Sequence, residues 1–197
     1  MDTPSVAERI VRAIATVEEM LRARGEMSLG VSRLSDDDVR SAVLAQPGNA
    51  FVRFDTGSRD IVFFTKKLKT ADIAKAAAAV PEDRRGDAML VTLDSLMTVH
   101  ARSVASHFGP VCEMFTLPAL GFNIARSTIV PKHELVPRDA HAGIKEKLGV
   151  ATLSQLPLIE SGDPMAKYAR VRPGDVVKIT RLHPSAGHQI AYRYCRK

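Results

Sequence analysis

Short β-rich runs alternate with helix-forming segments through the first two thirds of the chain, and this alternation most constrains the fold. The runs 51–54 and 61–64 are separated by a polar, turn-forming stretch and predict a hairpin. A third apolar run, 88–93, lies between two helix-forming segments and is typical of a buried strand. Strands interleaved with helices predict an α/β domain over residues 1–121, with a mixed sheet and flanking helices.

Helix start and stop signals delimit the helices of this domain. Ser5 and Glu8 form a capping box ahead of apolar residues at helical spacing, and Gly25 supplies a stop. Ser35 and the acidic triplet 36–38 predict a second helix N-terminus, because negative side chains favour the positive end of the helix dipole. The sequence further predicts an end of that helix at Pro47-Gly48, helices over 6–24, 71–80 (capped by Thr70) and 95–108, and a strand over 111–117.

Pro118 and Gly121 precede a second unit, residues 122–197, which we expect to be a small α+β domain. Asp163-Pro164 has the pattern of an N-cap followed by a first-turn proline. A turn that ends at Gly187, which we expect to have positive φ, predicts a half-buried hairpin and an antiparallel core. The predicted elements are a helix over 138–148 and strands over 176–181 and 188–195.

The formal charge of +6 belongs to the C-terminal third of the chain. Residues 1–128 hold 16 basic and 16 acidic side chains, whereas residues 129–197 hold 12 basic and 6 acidic ones. This asymmetry is typical of proteins that bind nucleic acid or an acidic protein, and charge alone does not distinguish the two. No apolar run approaches the roughly 18 residues of a membrane span, and the N-terminus lacks a signal-peptide pattern, so we expect an intracellular globular protein.

Metal and thiol chemistry have little support in the sequence. Cys112 and Cys195 are far apart and lack neighbouring ligands, so we expect two plain buried thiols. The six histidines do not pair at a spacing that places two rings on one helix face with a supporting carboxylate. We therefore predict no metal and no cofactor. The histidine pairs that could be candidates are His133 with His141 and His183 with His188.

A mixed sheet with flanking helices is also the scaffold of restriction-type nucleases, and the sequence argues against that activity. Such enzymes need an Asp or Glu two residues before a lysine, so that carboxylates bind the metal and the amine steadies the attacking water. In this chain no Asp or Glu is followed two positions later by lysine. The nearest approach is Glu82 with Arg84 and Asp83 with Arg85, in a loop beside Pro81. We predict no active site.

Several short motifs occur in a fixed order through the C-terminal third. They are Val130-Pro131-Lys132-His133-Glu134, Leu156-Pro157, Gly162-Asp163-Pro164 with Tyr168, Gly174-Asp175-Val176-Val177-Lys178-Ile179 with Arg181, Ala186-Gly187 and Tyr192-Arg193. In this order and spacing they resemble the shared fifth subunit of eukaryotic nuclear RNA polymerases and its shorter counterpart in archaeal RNA polymerase. The resemblance implies an assembly-domain motif made of Pro131, His133, Glu134, Asp163, Pro164, Tyr168, Gly174, Val177, Ile179, Arg181, Gly187, Tyr192 and Arg193.

This resemblance implies a non-catalytic subunit of a multisubunit DNA-directed RNA polymerase. Residues 122–197 would dock on the largest polymerase subunit, and residues 1–121 would form a jaw domain near downstream DNA. The jaw matches more loosely, at Arg24-Gly25, Val62-Phe63-Phe64 and Met89-Leu90-Val91. Because the archaeal counterpart consists of the C-terminal domain alone, a jaw indicates a eukaryotic-type polymerase. The implied location is the nucleus for a cellular protein, and a cytoplasmic viral factory or the virion for a copy from a large DNA virus.

Two sets of residues are candidates for contact with DNA. Lys66 and Lys67 belong to a short basic cluster, which is either ordinary surface charge or a phosphate contact. The resemblance adds Thr98, His100 and Arg102, which match the segment of the family that approaches DNA. Because this domain is neutral, we expect its DNA contacts to be weak and to matter only in the assembled enzyme. The alternative hypothesis is a free nucleic-acid-binding transcription factor that uses the basic C-terminal third.

Overall fold

The computed structural model describes residues 4–26, 35–45, 49–56, 59–94, 98–183 and 187–196. The chain divides into two compact units, Met1–Phe122 and Asn123–Lys197, and each contains one four-stranded sheet. The boundary predicted from the sequence, between residues 121 and 122, lies one residue from this division. Within the described ranges no helix has the length and apolar character needed to cross a bilayer.

The N-terminal unit is a mixed sheet with helices before and between its strands. Its strands lie in the order β1-β2-β3-β4, with β1 antiparallel to β2 and the other neighbours parallel. The predicted hairpin and mixed sheet are confirmed. The elements are α1 (Val6–Ala23), α2 (Asp36–Leu44), β1 (Phe51–Asp55), β2 (Asp60–Phe64), α3 (Thr70–Ala79), a 3₁₀ turn (Glu82–Asp87), β3 (Met89–Thr92), α4 (Thr98–Phe108), β4 (Glu113–Thr116) and a 3₁₀ turn (Pro118–Leu120).

Local capping explains where the first helices begin. The Ser5 hydroxyl accepts a hydrogen bond from the backbone N–H of Glu8, and the Glu8 carboxylate accepts one from the N–H of Ser5, as predicted. Ser35 caps α2 with Asp38 in the same way, whereas the stop predicted at Pro47-Gly48 lies outside the described residues. The prediction for Thr70 is wrong. Thr70 is the first residue of α3, and the cap position before it makes no side-chain hydrogen bond.

The core of the N-terminal unit lies on both faces of β2 and β3. Val62, Phe64 and Leu90 pack against buried residues of α3 and α4. Because side chains alternate along a strand, Phe63 lies on the opposite face, where its ring meets that of Phe54 edge-to-face with centroids 5.8 Å apart. Double-sided burial explains why these strands are continuous apolar runs rather than alternating ones.

The C-terminal unit is a second mixed sheet, in the order β5-β7-β8-β6. The predicted hairpin is confirmed as β7 with β8, although its turn at 184–186 lies outside the described residues. The prediction of an antiparallel core is incomplete, because the edge strand β6, which the sequence did not indicate, pairs in parallel with β8. The elements are a 3₁₀ turn (Ile124–Arg126), β5 (Lys132–Val136), a 3₁₀ turn (Arg138–Ala140), α5 (His141–Leu148), a 3₁₀ turn (Leu153–Gln155), β6 (Leu158–Glu160), α6 (Pro164–Tyr168), β7 (Val176–His183) and β8 (Gly187–Arg196).

Both faces of the C-terminal sheet are covered near its centre. One buried cluster joins the sheet to α6 and the segment after it, and contains Ile159, Ala166, Val171, Val177, Ile179 and Cys195. The other joins the opposite face to α5 and contains Val136, Ile144, Leu156 and Val176, with Tyr192 and Tyr194 packed against it. The edge strands are short and lie beside prolines, with Pro131 and Pro137 flanking β5 and Pro157 preceding β6.

Candidate partner-binding surface

The Asp163-Pro164 motif begins helix α6 of the C-terminal unit. Asp163 Oδ1 accepts hydrogen bonds from the backbone N–H groups of Met165 (2.8 Å) and Ala166 (3.1 Å), and Pro164 is the first residue of α6. At the other end of α6, Tyr168 Oη lies 3.2 Å from Asn123 Nδ2, which donates to it. The predicted N-cap is confirmed. These residues shape the unit rather than face a ligand.

A tight turn organises the start of β7. Gly174 has φ +97, and its N–H donates to the carbonyl of Cys195 at 2.9 Å. The buried Asp175 carboxylate accepts from Arg172 N (2.9 Å) and from two nitrogens of Arg138 (3.0 and 3.2 Å). Asp175 therefore ties β7 to the turn before α5. Sequence reasoning assigned no site role to Asp175, although the Pro-Gly-Asp sequence before a strand was a usable turn signal.

Glu134, Lys178 and Tyr192 form a row across three strands. Their register places Glu134 opposite Lys178 and Lys178 opposite Tyr192. Glu134 Oε1 lies 2.6 Å from Lys132 Nζ, and Glu134 Oε2 lies 3.4 Å from Lys178 Nζ. The hydrogen bond from Lys132, followed by the contacts with Lys178, holds the pKa of Glu134 below its usual value.

This row forms one wall of an open groove of about 350 Å³. The remaining walls are apolar side chains of β5, the following 3₁₀ turn and α5, namely Leu135, Val136, Pro137, Ala140 and Ile144. Apolar walls with one charged row suit a side chain of a protein partner, since they combine burial with a small number of orienting polar groups.

The remaining motif residues divide into buried and exposed sets. Val177 and Ile179 belong to the sheet core, and Arg193 Nη1 donates to the carbonyl of Leu158 at 3.1 Å. His133, on the edge strand β5, has its Nδ1 2.7 Å from the carbonyl of Pro131. Arg181 is exposed on the far part of the hairpin. The motif is therefore mainly a folding motif, with a smaller surface component.

The far part of the hairpin carries apolar side chains in solvent. Leu182 is 78% exposed and Ile190 is 49% exposed. The register pairs Thr180 with Ile190 and Leu182 with His188, so Leu182 and Ile190 are diagonal neighbours on the same sheet face. We call Leu182 and Ile190 the hairpin patch. No direct signal in the sequence points to Leu182, because alternation alone does not tell which part of a hairpin extends past its covering helix.

The candidate DNA-contacting residues lie at one edge of the N-terminal sheet. Lys66 and Lys67 are exposed after the end of β2, and Thr98 begins α4 after the end of β3. Because β2 and β3 are parallel, both segments follow the carboxyl ends of neighbouring strands. Arg102 is exposed on α4, whereas His100 is half-buried and its Nδ1 is buried without a hydrogen-bond partner in the described part of the chain. This edge is a common ligand-binding position in sheets with parallel strands.

A different set of basic residues forms ion pairs within the N-terminal unit. Arg84 binds both carboxylate oxygens of Asp55, at 2.6 and 3.2 Å, and this interaction raises the pKa of Arg84. Arg24 Nη2 and Arg59 Nη1 lie 2.8 and 2.9 Å from the two carboxylate oxygens of Glu113. The side chains of Arg24 and Arg59 are only 4% and 5% exposed. These arginines join α1, the hairpin and β4, and we assign them no role with DNA.

The thiols are not activated for chemistry. Burial, followed by the charge of Glu113, raises the pKa of Cys112 to about 12, so its nucleophilic thiolate is scarce at neutral pH. Burial, followed by the charge of Asp175, also raises the pKa of Cys195. The searched, described residues contain no group of three or more His, Cys, Asp or Glu side chains that could hold a metal ion.

The described residues thus form two well-packed units, and the C-terminal one exposes apolar side chains on its hairpin. A family model described as "RNA polymerase Rpb5, C-terminal domain" matches residues 122–195. The Dictyostelium discoideum protein "DNA-directed RNA polymerases I, II, and III subunit rpabc1" is 32% identical over 145 residues, which cover 68% of this chain and 70% of that protein. The chain belongs to the Rpb5 family of DNA-directed RNA polymerase subunits, as the sequence resemblance predicted.

Archaeal relatives match a shorter region. "DNA-directed RNA polymerase subunit Rpo5" of Sulfolobus acidocaldarius is 39% identical over 72 residues, or 36% of this chain and 84% of that protein. The corresponding protein of Staphylothermus marinus is 42% identical over 72 residues, or 36% of this chain and 78% of that protein. The match to the Dictyostelium protein, at 145 residues, is too long for the C-terminal unit alone and so includes part of the N-terminal unit.

Proposed function

We propose that the C-terminal unit docks this non-catalytic subunit on the largest subunit of a DNA-directed RNA polymerase, and that the N-terminal unit acts as a jaw beside downstream DNA. One observation carries the docking role. A stretch of 72 residues covers 84% of the Sulfolobus acidocaldarius protein but only 36% of this chain. The archaeal protein consists mostly of this shared region, so the shared region is the part that would join both proteins to a polymerase.

The surface of the C-terminal unit supports docking on a protein. The hairpin patch presents apolar area, and the groove beside β5 combines apolar walls with the Glu134–Lys178–Tyr192 row. Apolar anchors surrounded by polar groups are the usual composition of a protein–protein interface. The excess of basic residues in this third of the chain favours an acidic partner surface.

The proposed jaw would contact DNA through Lys66, Lys67 and Arg102, with Thr98 and His100 nearby. The first 128 residues are neutral, so the contact would be weak for a free protein. Docking changes this, because tethering raises the effective concentration of the jaw near the template. A cellular copy would act in the nucleus, and a viral copy in a viral factory or virion.

Affinity purification tests the docking role. A tagged full-length chain, expressed in its native cell, should recover the two large polymerase subunits. Leu182→Asp should reduce that recovery at least tenfold, because a carboxylate would have to be buried at the interface. Leu44→Asp is the matched control, since Leu44 is a similarly exposed leucine of the N-terminal unit. Isolation of the wild-type chain as a lone monomer would contradict the proposal.

A second candidate function is a free nucleic-acid-binding factor, which the 12 basic against 6 acidic residues after position 128 favour. This function predicts that the purified full-length chain binds duplex DNA in a gel-shift assay, with affinity falling steeply as salt rises from about 50 to 200 mM. The docking proposal instead predicts weak shifts at low salt and none at the higher salt.

A further inference from the structure

The end of the β7–β8 hairpin nearest its turn has one apolar face and one polar face. The apolar face carries the hairpin patch, whose two side chains, Leu182 and Ile190, are 78% and 49% exposed. The register pairs Arg181 with Gln189, and because side chains alternate along a strand, this exposed pair lies on the opposite face. Such alternation is typical of a sheet with one covered face, yet here both faces are in solvent.

Helix α5 covers only part of the sheet face on which the hairpin patch lies. On this face of β7, Val176 packs with Ile144 of α5, and Lys178, two residues further on, lines the groove beside α5. Thr180 and Leu182 follow on the same face, and Leu182 lies in solvent. The 8 residues of α5 span about 12 Å, whereas the 8 residues of β7 span about 26 Å. Even a helix aligned with the strand would therefore leave part of this face uncovered.

A helix suits this uncovered face better than a strand does. A partner strand adds to the edge of a sheet through backbone hydrogen bonds, whereas the hairpin patch lies on the face of two strands that are already paired. The buried parts of the two faces of this sheet are covered by α5 and α6. A further helix beside α5 would continue the same layer. Its apolar residues, three and four positions apart, would contact Leu182 and Ile190.

The charges beside the hairpin patch favour an acidic helix. Lys132 lies opposite Thr180, in the row that also contains Ile190, and the Lys132 side chain is 72% exposed. Lys132 and Lys178 both contact Glu134, so two lysines and one glutamate leave one net positive charge. An ammonium group has three donors, so a partner's carboxylate can approach the exposed Lys132 while Glu134 stays in place.

We propose that a helix of the largest polymerase subunit, with an apolar stripe flanked by acidic side chains, packs on the hairpin patch and completes the helical layer that α5 begins. This inference rests on the proposed docking function and adds to it the kind of element that docks. Burial of Leu182 and Ile190 supplies the apolar anchor of the contact, and Lys132 orients the acidic side of the helix. The polar pair Arg181 and Gln189 stays in solvent.

Substitutions on the two faces of the hairpin test this contact in the tagged full-length chain. Ile190→Asp should lower recovery of the large polymerase subunits at least tenfold, because the helix would bury the new carboxylate. Gln189→Asp introduces the same charge at the neighbouring position on the opposite face and should leave recovery unchanged. Both positions are exposed, so the Tm of each variant should match that of the wild type.

Charge reversal tests the acidic side of the proposed helix. Lys132→Glu should lower recovery about fivefold, because it places a negative charge beside the partner's carboxylates. Lys147→Glu makes the same change at an exposed position of α5 and should leave recovery unchanged. Equal recovery of the two variants would contradict an acidic partner at Lys132.

Photo-cross-linking tests whether the partner element is a helix. A photoreactive phenylalanine analogue at position 182 or 190 should cross-link to the largest polymerase subunit. Mass spectrometry should then locate the attached residues three, four or seven positions apart in one segment. Attached residues two positions apart would indicate an extended strand, and cross-links to a second copy of this chain would indicate self-association. Either result overturns the inference.

Failure of this inference is distinct from failure of the docking proposal. If the wild type recovers the large subunits and Ile190→Asp recovers them equally well, the helix does not lie on the hairpin patch, and the inference fails while docking stands. If the wild type recovers no polymerase subunit, the docking proposal fails first.

Discussion

The two units build similar sheets but use their charged residues in different ways. In the N-terminal unit, Arg24, Arg59 and Arg84 are paired with carboxylates of the same unit. In the C-terminal unit the basic residues outnumber the acidic ones, and apolar side chains such as Leu182 stand in solvent. In the first arrangement, ion pairs within the unit stabilise its own fold. The second leaves a surface whose net positive charge and exposed apolar side chains are suited to binding a partner.

The largest expected effect comes from the core of the N-terminal unit. Phe64→Ala should lower the free energy of unfolding of that unit by about 3–5 kcal/mol, because Phe64 is fully buried against α3 and α4. Thermal unfolding and limited proteolysis of the full chain measure this loss. Polymerase recovery should persist, since docking is assigned to the other unit; equal loss of recovery would contradict the division of roles. Phe64→Leu is the milder control.

The buried ion pairs give the next largest effect. Glu113→Gln should destabilise the N-terminal unit by about 1–3 kcal/mol, because two nearly buried guanidinium groups lose their charged hydrogen bonds to this carboxylate and keep Glu26, at 3.8 and 3.2 Å, as their remaining shared partner. Glu82→Gln removes the partner of Arg85 at an exposed position and should cost less than about 0.5 kcal/mol. Denaturant unfolding of the two variants compares them directly. Similar losses would show that burial does not govern these pairs.

Backbone conformation governs an intermediate effect in the C-terminal unit. Gly187 has φ +68, as the turn prediction required. Gly187→Val should cost about 1–2 kcal/mol, since a β-branched residue is strained in this region even where space is open. Gly187→Asn, which tolerates left-handed backbone better, should lose less. Chemical denaturation distinguishes the two, and equal losses would point to side-chain effects instead.

The cap of α6 gives a smaller effect. Asp163→Ala should destabilise the C-terminal unit by about 1 kcal/mol, because two backbone N–H groups lose their acceptor. Asp139→Ala is the matched control, because Asp139 is exposed and bonds only its neighbour's N–H among the contacts described. A loss for Asp163→Ala no greater than that of the control would contradict the capping role.

The smallest effect concerns the pH dependence of Glu134. Its pKa is lowered in the folded state, so its contribution to stability is present above the unfolded-state pKa and is lost as pH falls through the folded-state value. The pair is exposed, so that contribution should be at most a few tenths of a kcal/mol. A pH titration followed by NMR should place the pKa of Glu134 below its ordinary 4.5, and Lys132→Ala should raise it. An unchanged value in Lys132→Ala would exclude this pair as the cause.

The sequence predicted those structural features that depend on interactions between residues close together in the chain. The Ser5 capping box, the Asp163 cap, the β7–β8 hairpin and the positive φ of Gly187 all depend on residues close in the chain. The error at Thr70 has the same origin, because a capping residue type one position inside the helix looks much like one at its cap.

Long-range features could not be predicted in this way. Glu113 meets Arg24 across 89 positions, and no spacing rule connects them. The parallel strand β6 has only three residues, too few for a periodic pattern, and depends on pairing with β8. Among the candidate site residues, sequence patterns identified the motif but did not separate those that hold the fold, such as Val177, from exposed ones such as Arg181.

The prolines beside the edge strands of the C-terminal sheet affect how readily the protein aggregates before it assembles. Copies that have not assembled carry the hairpin patch, Leu182 and Ile190, in solvent. A long open sheet edge beside that hairpin would recruit other copies and start aggregation. Pro131, Pro137 and Pro157 shorten the edges and withhold backbone donors beside them. We expect these prolines to limit pairing along β5 and β6 in copies that have not yet assembled.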